Sequence, residues 1–222
     1  MNSIMETVCL VCNSVRNYTN NGISFQKLLV VLRREFRRRD FRIKIKSLRV
    51  KTMDVEEFYV NAYYDPEDDR DGEIPIEVII YHNFDVNEIW DKQHITELLI
   101  QVFDAVIHEF KHQRQSVKRN YKIYSNHAQT PYSAYLADPD EVDAYAFSIA
   151  VELTRSLGKY RAMRYLAKFS GLCKLRFNGK YVSPSLSAYY GQFGTINNAL
   201  MRRLSKKIYV RLRKVDTASI FV

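Results

Sequence analysis

No stretch of the 222-residue sequence approaches the roughly 20 apolar residues that a membrane-spanning helix needs. The amino-terminal segment MNSIMETVCLVCNSVRNYTNN lacks a charged start, a long apolar run and a small-residue cleavage site, so it does not read as a secretory signal. Cysteine is scarce: Cys9, Cys12 and Cys173 make an odd number, which argues against a disulfide framework. These absences point to a soluble protein of the cytoplasm with no membrane partner. Internal repeats, low-complexity segments and a clear linker are also missing, so a single domain over 1–222 is expected.

Cys9-Leu-Val-Cys12 has the spacing of half a zinc knuckle, but no second pair completes it. Both residues fall on an apolar helical pattern with Ile4, Met5, Val8 and Val15, and are expected to be buried core thiols.

A composition of 46% hydrophobic and 27% charged residues suits a globular protein with a real core. Basic residues outnumber acidic ones, 34 to 25, for a net charge of +9. Much of the excess lies in LRREFRRRDFRIKIKSLR (32–49) and MRRLSKKIYVRLRK (201–214). Such a surface can meet nucleic acid, an anionic surface or an acidic protein. The plainer reading is a solvated helix face, because Arg33, Arg34, Arg37 and Arg38 interleave with Leu28, Leu29, Leu32 and Phe36 at helical spacing.

The order of elements reads as α+β. Helices are predicted over about 3–17 and from an N-cap at Ser24 to about Arg39, forming a helical segment over 1–40. Three strands follow, at Phe41–Lys46, Phe58–Tyr64 and Ile74–Tyr81, with the acidic turn DPEDDRDGE (65–73) before the third. At least two should be antiparallel, and Pro75 suits an edge strand. From about 94, Ile95, Leu98, Leu99, Val102, Phe103, Val106 and Phe110 form one apolar stripe. After a polar loop over 119–137, Asp138-Pro139-Asp140-Glu141 reads as a helix start, with Asp138 as cap, and the helix stops near Gly158. Another helix over 159–170 completes the central segment of 41–170. The terminal segment, 171–222, is read as a Gly/Pro-containing loop and then a basic helix to about Lys214.

The chemistry concentrates in His108-Glu109-Phe110-Lys111-His112. Two histidines at i and i+4 project from one side of a helix, close enough for both imidazoles to reach one ion. Glu109 lies 100° around from His108, placed to hold a water without ligating the metal. Zinc suits such a site, since imidazole and carboxylate ligands leave a fourth position for water. A chance H-E-x-x-H is expected in roughly one in a hundred chains of this length, so the motif itself carries weight. His108 and His112 lie almost opposite the centre of the apolar stripe, as in a helix with its back in the core. Two solvated surface histidines would have the same pattern.

With Glu141-Val-Asp-Ala144 downstream, the sequence resembles the zincin metallopeptidases whose third ligand is a glutamate on a second helix. In several of those families the glutamate stands three residues before an alanine, and Glu141 and Ala144 match. The spacing of about thirty residues from His112 lies within their range. The likeness covers two short motifs within about 108–147, and it extends to small metallopeptidase-like proteins of tailed bacteriophages. It implies a zincin-like fold with a small mixed or antiparallel sheet packed on the motif helix. It also implies Zn²⁺ held by His108, His112 and Glu141, with Glu109 as general base and a protein or peptide as substrate. A phage protein would work in the host cytoplasm or the virion.

The sequence departs from the pattern where several families place an aspartate four residues after the glutamate, since Tyr145 stands there. Asp143 or Asp104, the latter one turn before His108, is the candidate for orienting a histidine instead. Asp143 is also the next candidate for third ligand, because Glu141 has a second reading as a capping-box glutamate. Tyr132, Tyr135, Tyr189 and Tyr190 are candidate oxyanion donors. His82, His94 and His127 carry less. An extended substrate is expected along a sheet edge, at Ile76–Tyr81. The competing expectation is a virion-associated or nucleic-acid-binding protein with a vestigial or structural zincin site, its basic helices touching nucleic acid.

Overall fold

In α1 (Asn2–Tyr18), Met5, Val8, Val11, Cys12 and Val15 are all buried, the outcome expected of their helical spacing. The computed structural model describes residues 2–18, 22–54, 57–122 and 131–221. These fall into two compact units, one reaching to Lys122 and including Phe221, the other continuing to Ile220.

In the first unit, β1 (Ile23–Ser24) leads into α2 (Phe25–Arg37), capped by Ser24, whose hydroxyl accepts from the Lys27 amide. Three seven-residue strands follow: β2 (Ile43–Arg49), β3 (Phe58–Tyr64) and β4 (Ile76–His82). Between β3 and β4 lies the short helix α3 (Pro66–Asp71). The sequence predicts a turn for this acidic stretch. It closes into a helix because Asp65 caps the Glu67 and Asp68 amides, Pro66 starts the first turn, and Gly72 takes the left-handed φ of 84° that ends it. β5 (Ile89–Trp90) pairs with β1, and α4 (Lys92–Lys118) completes the unit, its first turn capped by Asp91.

The sheet order is β2-β4-β3, with β2 parallel and β3 antiparallel to β4. β4 is therefore the central strand, against the edge position inferred from Pro75. Proline's missing N–H matters only inside the ladder, and Pro75 stands just before it, its carbonyl accepting from the Asp65 amide at 2.7 Å. With both sides paired, Ile76–Tyr81 cannot take an extended substrate, which corrects that expectation. Edge strand β3 has two amides already engaged, Val60 with the Gln101 side chain and Ala62 with that of Asn61. Ile76, Val78 and Ile80 are buried, as are Ile95, Leu98, Leu99, Val102, Phe103 and Val106 of α4. α4 packs on β3 and β4, and α1 packs on α4 and α2.

The second unit is helical: α5 (Tyr132–Ala137), α6 (Pro139–Leu157), α7 (Lys159–Leu166) and α8 (Phe169–Lys174). A hairpin of β6 (Arg176–Phe177) and β7 (Lys180–Tyr181) leads to α9 (Pro184–Phe193) and α10 (Ala199–Lys214). The α8, hairpin and α9 elements occupy a region for which the sequence predicts mostly loop. Pro184 sits in the first turn of α9, where Ser183 caps the Leu186 amide. α6 is buried along most of its length, and α10 packs on it through Met201, Leu204, Ile208 and Leu212. The exposed side of α10 carries Arg202, Arg203 and Lys206, as the amphipathic reading requires. The chain is thus α+β. Among the described residues, no helix is long and apolar enough to cross a membrane.

Candidate metal centre

The motif helix α4 holds His108 and His112 one turn apart, both half-buried, with their Nε2 atoms 3.1 Å from each other. Two nitrogens bound tetrahedrally to one zinc at ~2.05 Å would stand about 3.3 Å apart, so the pair is close to the spacing an ion demands. Glu109, between them in sequence, is only 8% exposed. Phe110, on the far side of the helix from the histidines, packs edge-on to Phe41 at 5.4 Å.

Glu141 occupies the first turn of α6, whose entry is set by local chemistry. Asp138 accepts from the Asp140 amide at 2.8 Å, and Pro139 pre-shapes the first turn. The Glu141 side chain is buried, at 5% exposure. Among the described residues, one group of histidine, cysteine and acidic side chains has the mutual spacing for a metal: His108, His112 and Glu141. One ligand atom from each lies within 4.8 Å of the others. Two imidazoles and one carboxylate are donors that could hold a metal ion and leave room for a further ligand.

Other candidates are placed differently. Asp143, two residues along α6, receives Lys207 Nζ at 3.0 Å and Arg211 Nη2 at 2.6 Å on one carboxylate oxygen. That oxygen ties α6 to α10. Asp104 is half-buried on α4, one turn before His108. Tyr145 packs its ring against Tyr189 at 5.3 Å.

Tyr189 is fully buried and donates its hydroxyl to the Leu136 carbonyl at 2.8 Å, with burial raising its pKa first of all. Its proton is spent within the fold, so it is not an oxyanion donor. Tyr132 is exposed, Tyr135 is half-buried, and the Tyr190 ring lies under Lys174 Nζ at 5.2 Å. His94 pairs with Asp91 at 2.8 Å in the cap of α4. His82 is buried among Phe25 and Phe84, and His127 lies outside the described residues.

One positioning group escaped the sequence reading. Asp69 of α3 accepts from Gln113, the residue after His112, at 3.1 Å and from the Tyr64 hydroxyl at 2.9 Å. Arg42 approaches the same carboxylate at 3.7 Å. Asp69 thereby anchors the histidine-bearing turn of α4 to β3 and to the start of β2. The signal for it was present in the caps Asp65-Pro66 and Gly72, which make 66–71 a helix.

No protein-family model, no curated protein and no solved structure matches this chain.

Proposed function

We propose that the chain is a zinc-dependent metallopeptidase of the zincin type, an endopeptidase acting on a protein or peptide. The observation that carries this reading is the convergence of His108, His112 and Glu141 ligand atoms within 4.8 Å. Further support comes from the mixed sheet lying against the motif helix, with the antiparallel strand β3 at its edge. His108 and His112 would hold the ion through Nε2, and Glu141 through a carboxylate oxygen. When bound, zinc supplies a Lewis acid for a carbonyl oxygen and lowers the pKa of a water toward neutrality.

Glu109 does the proton work. Its carboxylate takes a proton as the water oxygen attacks the peptide carbonyl, and returns it to the departing nitrogen as the C–N bond breaks. Burial of Glu109 suits this role, because a base shielded from bulk water keeps the proton for the leaving group. Asp69, through Gln113, keeps the histidine-bearing turn in place.

Protein purified without chelator should carry about one zinc per chain, counted by elemental analysis. His108→Ala combined with His112→Ala should abolish stoichiometric zinc, since one remaining ligand does not hold the ion. Glu109→Gln should keep zinc and fold but lose at least ~10²-fold in cleavage of an unstructured polypeptide. Full zinc retention in the double variant would sink the site, and equal cleavage by wild type and Glu109→Gln would sink the base.

A further inference from the structure

Among the described residues, the helices packed on the three-stranded sheet bury one face of it and leave the side chains of the other face half-buried or exposed. Along each strand, residues alternate between the buried face and the open one. The ladder sets the open-face residues in three rows across β2, β4 and β3: Lys44, Glu77 and Tyr63; then Lys46, Ile79 and Asn61; then Leu48, Tyr81 and Tyr59. Leu48 is 52% exposed, Tyr59 47% and Tyr63 46%. Such a cluster of bared aromatic and aliphatic side chains is unusual on a surface with no partner.

We propose that this face is a platform for single-stranded nucleic acid, a binding function separate from the metal centre. Tyr59 and Tyr81 already lie ring on ring, 4.6 Å apart and 11° from parallel, so an unpaired base can continue the stack. Tyr63 stands four residues along the same strand, roughly 13 Å from Tyr59, which leaves room for two or three bases.

The charge is complementary. In the first two rows two lysines face a single carboxylate: Glu77 accepts from Tyr63 and Lys46 and lies 4.0 Å from Lys44. Lys44 also lines a groove of about 560 Å³ beside β2, together with Arg33, Arg37 and Arg42, and among the described lining residues Asp40 alone is acidic. Arg33 donates to the Ile45 carbonyl at 2.9 Å, which holds its guanidinium along the strand. Phosphates track this basic edge while bases lie on the tyrosines. An aromatic face bordered by cations favours unpaired bases over a duplex, whose π-faces are buried in its own stack. The net charge of +9 favours an anionic polymer over an acidic patch of limited size.

The test is fluorescence anisotropy of the whole chain with labelled 20-mers of deoxythymidine and uridine, and with a duplex of equal length. Single strands should bind at least about 10-fold tighter than the duplex, with affinity falling steeply between 50 and 200 mM salt. Tyr59→Ala and Tyr63→Ala should each weaken binding about 10-fold, whereas Tyr59→Phe, which keeps the ring, should bind as wild type. Lys44→Gln with Lys46→Gln should flatten the log–log salt slope by about 1.4, two phosphate contacts' worth. These side chains are exposed, so the variants should keep the wild-type circular dichroism spectrum. The variant lacking His108 and His112 should bind equally well, which separates failure here from failure of the zinc reading.

No binding at 50 mM salt would overturn the proposal. So would equal affinity for strand and duplex with no effect of the tyrosine changes, which would mean a basic surface only. A concentration-dependent dimer in sedimentation, lost in Tyr59→Ala, would assign the face to a second copy of the chain and overturn it as well.

Discussion

Glu141 and Asp143 are two residues apart on α6, and substituting each in turn separates the metal centre from its scaffold. Glu141→Gln keeps the size of a buried side chain but replaces an anionic donor with a neutral amide. With two imidazoles left, zinc affinity should fall at least ~100-fold, since stable sites use three or four protein ligands. Asp143→Asn should act elsewhere, because its oxygen holds Lys207 at 3.0 Å and Arg211 at 2.6 Å. Charge-assisted hydrogen bonds contribute about 1.5–3 kcal/mol each when buried. Here the Lys207 and Arg211 side chains are 31% and 23% exposed, and asparagine still offers an acceptor, so the net loss should be about 1–2 kcal/mol. For a chain of this size that lowers Tm by about 2–8 °C. Zinc at 100 times its Kd should raise the wild-type stability by about 2.7 kcal/mol. That increment should survive in Asp143→Asn and fall to about 0.4 kcal/mol or less in Glu141→Gln. Competition against a zinc-responsive dye gives the affinities, and thermal melts with and without zinc give the increments. Unchanged zinc affinity in Glu141→Gln, alongside its loss in Asp143→Asn, would make Asp143 the ligand and refute the assignment.

Three further outcomes are expected. Tyr189→Phe should cost about 1–2 kcal/mol in denaturant unfolding, because the buried Leu136 carbonyl loses its donor; a neutral effect would mean that water replaces it. All three cysteines are buried, and burial pushes the Cys173 thiol up to about 11, so none should react with a thiol reagent until the chain is unfolded. Burial, and then the Arg49 charge, holds the His82 imidazole below its ordinary pKa of 6.5, outweighing its backbone hydrogen bond with Phe84. The fold prefers the neutral ring, so its contribution to stability is intact above about pH 6.5, declines as pH falls below that value, and levels off below the folded-state pKa. His82→Leu should remove that part of the acid dependence; an unchanged slope between pH 7.5 and 5 would assign it to other groups.

Short-range rules govern the features that are legible in the sequence. The i, i+4 geometry of an α-helix brings His108 and His112 to one side whatever packs behind them, and their 3.1 Å approach follows from it. Asp138-Pro139 starts α6 through its own backbone chemistry, and Ser24 starts α2 in the same way. Period-two alternation marked β3 and β4, and apolar spacing placed Cys9 and Cys12 in the core. The short helices were missed where cap signals in 65–72 and 183–184 were read as turn and loop chemistry.

Long-range packing decided the rest. Pro75 reports only on its own missing N–H, whereas the central place of β4 depends on two strands that both precede it in sequence, β3 and the more distant β2. Alternation along β2, β3 and β4 gives each strand two faces, but only the helices packed on the sheet determine which one is buried, and so leave Tyr59, Tyr63 and Tyr81 on the other. Glu141 and Asp143 look alike as carboxylates in the first turns of one helix. They part because residues two apart on a helix point about 200° away from each other, and α10 brings Lys207 and Arg211 to one side of α6 only. Residue type and spacing therefore determine locally which side chains could chelate an ion, while tertiary contacts decide that Asp143 is the carboxylate engaged by Lys207 and Arg211.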